Sequence, residues 1–494
     1  MHYFFNKKLI YSDLSSGTLL LNKFFLFSHF VKIKKKDMFI LMVVVFILGY
    51  TAIALEHPLK IDKAASALIT GVLCWVVYIT GSQSIISLGN SPSWNSFSQL
   101  HEITPTIDSI KNFIVHHEII NHLGDISEIL FFLLGAMTIV EMIDRHDGFK
   151  IITDRIQTTK KVELLWILSF LSFFMSALLD NMTTTIVMVA LLRKLIDDKK
   201  TRWFFASMIV IAANAGGAWS PIGDVTTIML WIGGQVSALN IIKEVFLPSV
   251  ANIVAPLIIL TFTLKGHIVH PKINENEESL TTKGEQITLL ILGLAGLLFV
   301  PVFKTITHLP PYMGMLLSLG IIWVVSEIMH KDKPEEIKKQ LRVSNVLKRV
   351  DTPTILFFLG ILSAVAALQS AGQLNLFSQL LNEKLGNVYG IGLSIGILSS
   401  IVDNVPLVAG AMGMYPIADP GATGFLSNFI VDGRFWEFIA YTAGTGGSLL
   451  IIGSAAGVAA MGLEKIDFIW YMKKITLLAL VGYFAGAGVY CLGL

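Results

Sequence analysis

The sequence predicts an all-α membrane protein built from two halves of opposite orientation, each holding a re-entrant helical hairpin and a broken helix. Three observations predict it. Apolar stretches of bilayer length recur from end to end. Two of those stretches are too long for one crossing, too short for two, and interrupted near the centre by Asp-Asn. Three sequence blocks of the first half return, in order, in the second.

Of 494 residues, 54% are apolar and only 15% charged, with a mean hydropathy of +0.69. Soluble domains carry about a quarter charged residues, so most of this surface is suited to a lipid bilayer. The net charge of +2 gives no ground for a nucleic-acid partner. Cys74 and Cys491 are the only cysteines and both lie in apolar segments, which argues against a disulfide framework or a thiolate metal site. Residues 1–37 stand apart. Leu19–Val31 is apolar but short and interrupted by Lys23, and the basic run Lys32, Lys34, Lys35 and Lys36 precedes Met38. The expectation is a dispensable leader with translation starting at Met38; the competing reading is an amphipathic anchor on the membrane surface.

Segments of the length needed to cross a bilayer, roughly 17–25 residues, are expected at 38–56, 64–81, 127–143, 245–264, 287–302, 313–329, 354–371 and 470–494. Between them lie the hairpins 164–192 and 389–415 and the broken helices 203–238 and 435–464. Hairpins that turn at mid-depth are tolerated only where protein or water covers the turn. With both hairpins opened this way, the loops 144–163, 193–202, 265–286, 330–352 and 465–474, assigned to the cytoplasm, hold 23 Lys and Arg residues and the opposite loops hold 5, the bias expected of cytoplasmic loops. Treating either hairpin as a simple crossing destroys it. The same layout puts the basic run before Met38 on the wrong side.

The repeat rests on ILFFLLGAM (129–137) with ILFFLGILS (355–363), SALLDN (176–181) with SSIVDN (399–404), and NAGGAWSPIGD (214–224) with GTGGSLLIIGS (444–454). Their offsets are 226, 223 and 230. The organisation that follows is a leader at 1–37 and scaffold helices with a long external loop at 38–126. Repeat one occupies 127–264, linking helices and cytoplasmic loops 265–353, and repeat two 354–494. Paired, interrupted segments in inverted halves point to a transporter's substrate site.

Asp180 and Asp403 stand at the two hairpin tips, each followed by Asn (Asn181, Asn404). A carboxylate at mid-membrane costs about 2.5–3.5 kcal/mol even on the lenient insertion scale. Its use is that a proton and a small cation can compete for it; the plainer reading is a helix cap at the turn. In 203–238, Gly216, Gly217, Pro221 and Gly223 unwind the helix and expose carbonyl oxygens. Asn214, Ser220, Asp224, Thr226 and Thr227 add side-chain oxygens, which hard cations favour; small-residue packing is the rival explanation. In the second half Thr445, Ser448 and Ser454 occupy the matched run, with Ser454 where the first half has Asp224. Thr183 and Thr184 extend the first tip. Glu141 and Asp144, ending segment 127–143, are candidates for a proton path.

His117 and His122 are five residues apart, which turns them about 140° from each other on a helix. No zinc site is expected there, and a solvated loop is. Trp75, Trp166, Trp203, Trp436 and Trp470 read as an interfacial belt.

Asp-Asn at two hairpin tips, each followed by a Gly-rich broken helix, resembles the ion transporter superfamily. SALLDNMTTTIVMVALLRKL and ANAGGAWSPIGDVTT resemble its NhaD-type sodium/proton antiporters. Relatives that carry dicarboxylates have a neutral Ser-Asn-Thr tip, so the acidic tips here imply a cation. The resemblance assigns cation binding to Asp180, Asn181, Thr183, Asn214, Asp224, Thr226, Thr227, Asp403, Asn404, Ser448 and Ser454. It implies exchange of Na⁺ or Li⁺ for H⁺ in a bacterial cytoplasmic (inner) membrane and no cofactor beyond the transported ions. It also implies an elevator-like movement and a homodimer. The rival within the superfamily is a transporter of arsenite or another oxyanion, disfavoured by the lack of an intramembrane Arg or Lys. An intramembrane hydrolase would need a nucleophile–base or metal pair, and none occurs at workable spacing.

Overall fold

The computed structural model describes residues 35–88, 91–153, 158–269, 280–401 and 403–493. The expected leader lies outside these up to residue 34, as do Arg155 and Lys272 of the basic loops. Among the described residues the only β-type pairing is one isolated bridge, Lys160 with His267; all other regular structure is helical. Among the described residues, eight helices are long and apolar enough to cross a bilayer, nine if Phe468–Lys474 and Thr476–Leu492, which meet at 53°, count as one span. The chain is a multi-pass membrane protein.

Helices α1 (Lys35–Ala54) and α2 (Lys63–Ile86) pack together. The Asp62 side chain caps α2 by accepting the Ala64 N–H, which satisfies a backbone donor that the helix leaves unpaired. The run α3, Ile107–Arg145, is longer than the sequence suggested. A Thr106–Ser109 capping box opens it and a π turn interrupts it at Ile114–Glu118. The residues expected as loop up to 126, His122 among them, are therefore helical from 107 on. The polar composition hid this stretch because packing sustains it. The Phe97 ring, on the short helix Pro92–Leu100, lies 4.6 Å from those of both Phe113 and His117. His122 is half-buried, its Nε2 3.0 Å from Ser370 Oγ, while His116 and His117 are exposed.

Two short-armed pairs follow. Helices α4 (Lys161–Leu179) and α5 (Asn181–Leu195) are separated by Asp180 alone, and α6 (Lys199–Ala218) and α7 (Val225–Ile232) by residues 219–224. Next come α8 (Ala238–Thr263), the paired α9 (Lys283–Thr307) and α10 (Pro311–Met329), and α11 (Thr352–Ser370), which packs on α2. Helix α12 (Gln373–Leu385) fills a stretch the sequence reading left as a connection. The second set comprises α13 (Val388–Leu398) and α14 (Asn404–Met414), then α15 (Arg434–Gly446) and α16 (Ala455–Glu464); α17 (Phe468–Lys474) and α18 (Thr476–Leu492) close the chain.

Both ends of the α4–α5 pair meet one segment. Lys161 N–H donates to Gly266 O (3.1 Å), Ile268 N–H to Thr159 O (2.8 Å), and Asp197 N–H to Val269 O (3.0 Å). Packing is cross-matched: α4 lies on α6 and α13 on α15, while α5 lies on α16 and α14 on α7. Individual contacts recur too. Ser176 Oγ donates to Ala213 O (2.6 Å), and Ser399 Oγ to Ala443 O (2.8 Å). Gly216 faces the Phe173 carbonyl and Gly446 the Gly396 carbonyl so closely that a Cβ on either would strike it. The partners are separated by 223 residues on the first arms and 230 on the helices they touch.

Trp436 departs from the expected interfacial belt. It is fully buried, with its indole N–H on Phe429 O at 3.0 Å, because the turn Gly424–Phe429 folds over it.

Candidate functional site

The first tip is built on an unusual backbone. Asp180 has φ 82° and ψ 159°, a conformation that costs an ordinary residue of order 1–3 kcal/mol. The side chain holds it there: Oδ1 accepts the Thr183 N–H (2.8 Å) and Oδ2 the Thr183 hydroxyl (2.7 Å). The cap role and a cation role are compatible, since carboxylate lone pairs remain. The Thr184 hydroxyl beside it is fully buried and has no protein partner.

The Asn residues after each tip point elsewhere, to Asp224. That carboxylate is 1% exposed. Its Oδ1 accepts Thr226 N–H and Thr226 Oγ1–H, both at 2.8 Å, and its Oδ2 accepts Asn181 Nδ2–H at 2.6 Å. Asn404 Nδ2 approaches both oxygens, at 3.4 and 3.3 Å. Every one of these donors is neutral. Asn214, also fully buried, links the halves: its Oδ1 accepts from Asn181 Nδ2 (3.0 Å) and its Nδ2 donates to Ser448 Oγ (2.8 Å) and Ser454 Oγ (2.9 Å). Thr227 directs its hydroxyl to the Asp224 main-chain carbonyl (2.9 Å). Asn181, Asn214, Asp224, Thr226, Thr227, Asn404, Ser448 and Ser454 thus form one hydrogen-bonded network. Asp180 with Thr183 lies beside it as a separate pair.

The second tip differs. Asp403 (φ −47°) accepts the Val405 N–H at 3.5 Å, and its Oδ2 lies 3.4 Å from Lys63 Nζ. The sequence shows no Arg or Lys within the expected spans near the tips, yet Lys63, from the first turn of α2 just outside the span 64–81, reaches Asp403.

A cavity of ≈ 140 Å³ is lined by Asp180, Asn181 and Thr183, and also by Glu141, Asp144 and Arg349. Asp144 is exposed and Glu141 half-buried, and Glu141 pairs with Arg349 at 3.1 Å. The two proton-path candidates therefore share a wall with the first tip.

A family model described as citrate transporter matches residues 38–430. Sodium/proton antiporter 1 of Arabidopsis thaliana is 44% identical over 451 residues, covering 91% of this chain and 71% of its own. Sodium/proton antiporter 2 of the same plant is 41% identical over 452 residues, covering 91% and 98%. The Na(+)/H(+) antiporter NhaD of Vibrio parahaemolyticus is 30% identical over 393 residues, covering 74% and 89%. The chain belongs to the citrate-transporter family and, within it, to the NhaD-type antiporters.

Two charged residues of this NhaD-type chain escaped the sequence reading: Lys63, against Asp403, and Arg349, against Glu141. A signal existed for Lys63. A cation at the first position of a helix opposes the helix dipole, so its presence there called for an anionic partner. Arg349 is one of seven Lys and Arg residues between 330 and 352 and nothing in the sequence separates it from the others.

Proposed function

We propose that this chain is a secondary antiporter that exchanges Na⁺, and Li⁺ at the same site, for H⁺. The observation that carries this is Asp224: a carboxylate buried in the protein interior, held by neutral donors from both tips. An isolated buried anion is unfavourable, and either a proton or a small cation neutralises it. Asp180, Asn181, Thr183, Asn214, Thr226, Thr227, Asp403, Asn404, Ser448 and Ser454 serve as the oxygen-rich surroundings. Glu141 and Asp144 pass protons between the cytoplasm and Asp180. The names of the plant and bacterial relatives support the same exchange.

In this reading the α4–α5 and α13–α14 pairs are re-entrant hairpins, and α6–α7 and α15–α16 are broken helices of two inverted repeats. The common segment 266–269 at both ends of α4–α5 supports the first point, and the contacts that recur at offsets of 223 and 230 support the second. A homodimer, elevator-like movement and a bacterial-type cytoplasmic membrane complete the proposal. The oxyanion alternative is not favoured, because the buried centre is itself anionic and Lys63 is engaged by Asp403. Everted vesicles test the exchange: Na⁺ and Li⁺ should dissipate a preset ΔpH and K⁺ should not, with the response abolished in Asp224→Asn. Full exchange by Asp224→Asn, or by both Asp180→Asn and Asp403→Asn, overturns the assignment.

A further inference from the structure

We infer that Lys63 is a tethered cation: its ammonium occupies the cation position of Asp403 when the carrier is empty and must be displaced for Na⁺ to load there. This rests on the exchange reading above and adds to it a residue that sets the apparent affinity.

The ion pair is partly enclosed, with Lys63 19% and Asp403 14% exposed, and the ammonium lies 4.4 Å from the centre of the Phe357 ring. Lys63 also lines two spaces at once. One, of ≈ 50 Å³, contains Asp403, Glu56 and Tyr50; the Tyr50 hydroxyl is buried without a protein partner and offers one more oxygen. The other, of ≈ 230 Å³, is bounded by Glu56, Asp62 and Asp351. It shares Met182, Asp351, Thr354 and Ala455 with the cavity at Asp180. A cation moving from the first tip towards the second along these spaces meets Lys63 before it meets Asp403.

An ammonium and Na⁺ carry the same charge and repel each other, so in a space of ≈ 50 Å³ the two do not share Asp403. The displaced ammonium has somewhere to go. Glu56, whose Oε1 already accepts the Lys63 backbone N–H at 3.3 Å, lines both spaces. The two tips are thereby unequal: Asp180 is held by neutral Thr183 donors, whereas Asp403 carries its own counter-charge. If Lys63 covers Asp403 for nine-tenths of the time, the apparent Na⁺ dissociation constant is raised about tenfold over that of the free site.

The test uses the purified full-length protein, with the Na⁺ concentration that gives half the maximal rise in melting temperature as the readout and proteoliposome exchange alongside. Lys63→Gln should lower that concentration about tenfold, and Lys63→Met, which keeps the apolar stem on Phe357, should do the same if the Gln variant folds poorly. Lys63→Arg should stay at or above the wild-type value, and Asp403→Asn should cancel the gain in the double variant. Unchanged or weakened Na⁺ response in both Lys63→Gln and Lys63→Met, with Lys63→Arg behaving as wild type, overturns the inference and leaves Lys63 a structural strut. That outcome differs from failure of the exchange reading, which would appear as a wild-type protein without any Na⁺ response.

Discussion

Asn214→Ala is the sharpest single test of the network. The amide is fully buried and makes three hydrogen bonds to other segments: from Asn181 on α5, and to Ser448 and Ser454 in the break between α15 and α16. Interhelical hydrogen bonds inside membrane proteins average about 0.6 kcal/mol each, so the truncation removes about 2 kcal/mol of organisation around Asp224. If that loss falls on the ion-loaded state, the half-saturating Na⁺ concentration rises about 30-fold. Ser207→Ala is the matched control. Ser207 is equally buried on the same helix, but its hydroxyl bonds only to its own helix, at Trp203 O (2.7 Å), so its half-saturation should stay within about twofold of wild type, well inside RT-scale changes. The assay is Na⁺-dependent ΔpH in everted vesicles, with melting of the purified variants as a check on folding. A folded Asn214→Ala protein with wild-type half-saturation, or equal losses in the two variants, refutes the reasoning.

Two further outcomes are expected. Gly216→Ala drives a methyl group into the Phe173 carbonyl, and overpacking of this kind costs about 1–3 kcal/mol; its melting temperature should fall while that of Gly124→Ala, which meets nothing within 4 Å, holds, and equal behaviour of the two refutes it. Burial pushes the His146 imidazole down to about 4 and lowers that of His330, whose Nε2 lies 3.2 Å away. Between about pH 6.5 and 4 the unfolded chain then binds more protons than the folded one. Stability is therefore full above the ordinary histidine value and declines by about 3 kcal/mol as pH falls through that window. His146→Phe should flatten the fall in melting temperature between pH 7 and 5, and an unchanged slope would count against it.

The parts of this protein that could be read from its sequence are those where chemistry contradicts its surroundings. Asp-Asn within an apolar run marked both tips, and clustered Gly with Pro221 marked the break between α6 and α7, because neither pattern suits an uninterrupted membrane helix. What stayed hidden depends on tertiary contact. The outer part of α3 is polar and owes its helix to the aromatic side chains of Pro92–Leu100 and to Ser370. Trp436 looks interfacial until the turn Gly424–Phe429, just before its own helix, folds back over it. The division of labour among the acids was also out of reach. Asp180 and Asp403 share a motif, yet Asn181 and Asn404, not the aspartates, contact Asp224, and only Asp403 meets a lysine from 340 residues away.

The length of α3 has a practical side. Its 39 residues extend about 58 Å, nearly twice the roughly 30 Å of a bilayer's hydrocarbon. Part of α3 is therefore a spur longer than the hydrocarbon can cover, braced by the Phe97 ring against Phe113 and His117. An antibody fragment raised against that spur, or a reporter joined to it, would ride on a fixed post, against which any displacement of the hairpins could be measured as a change of distance.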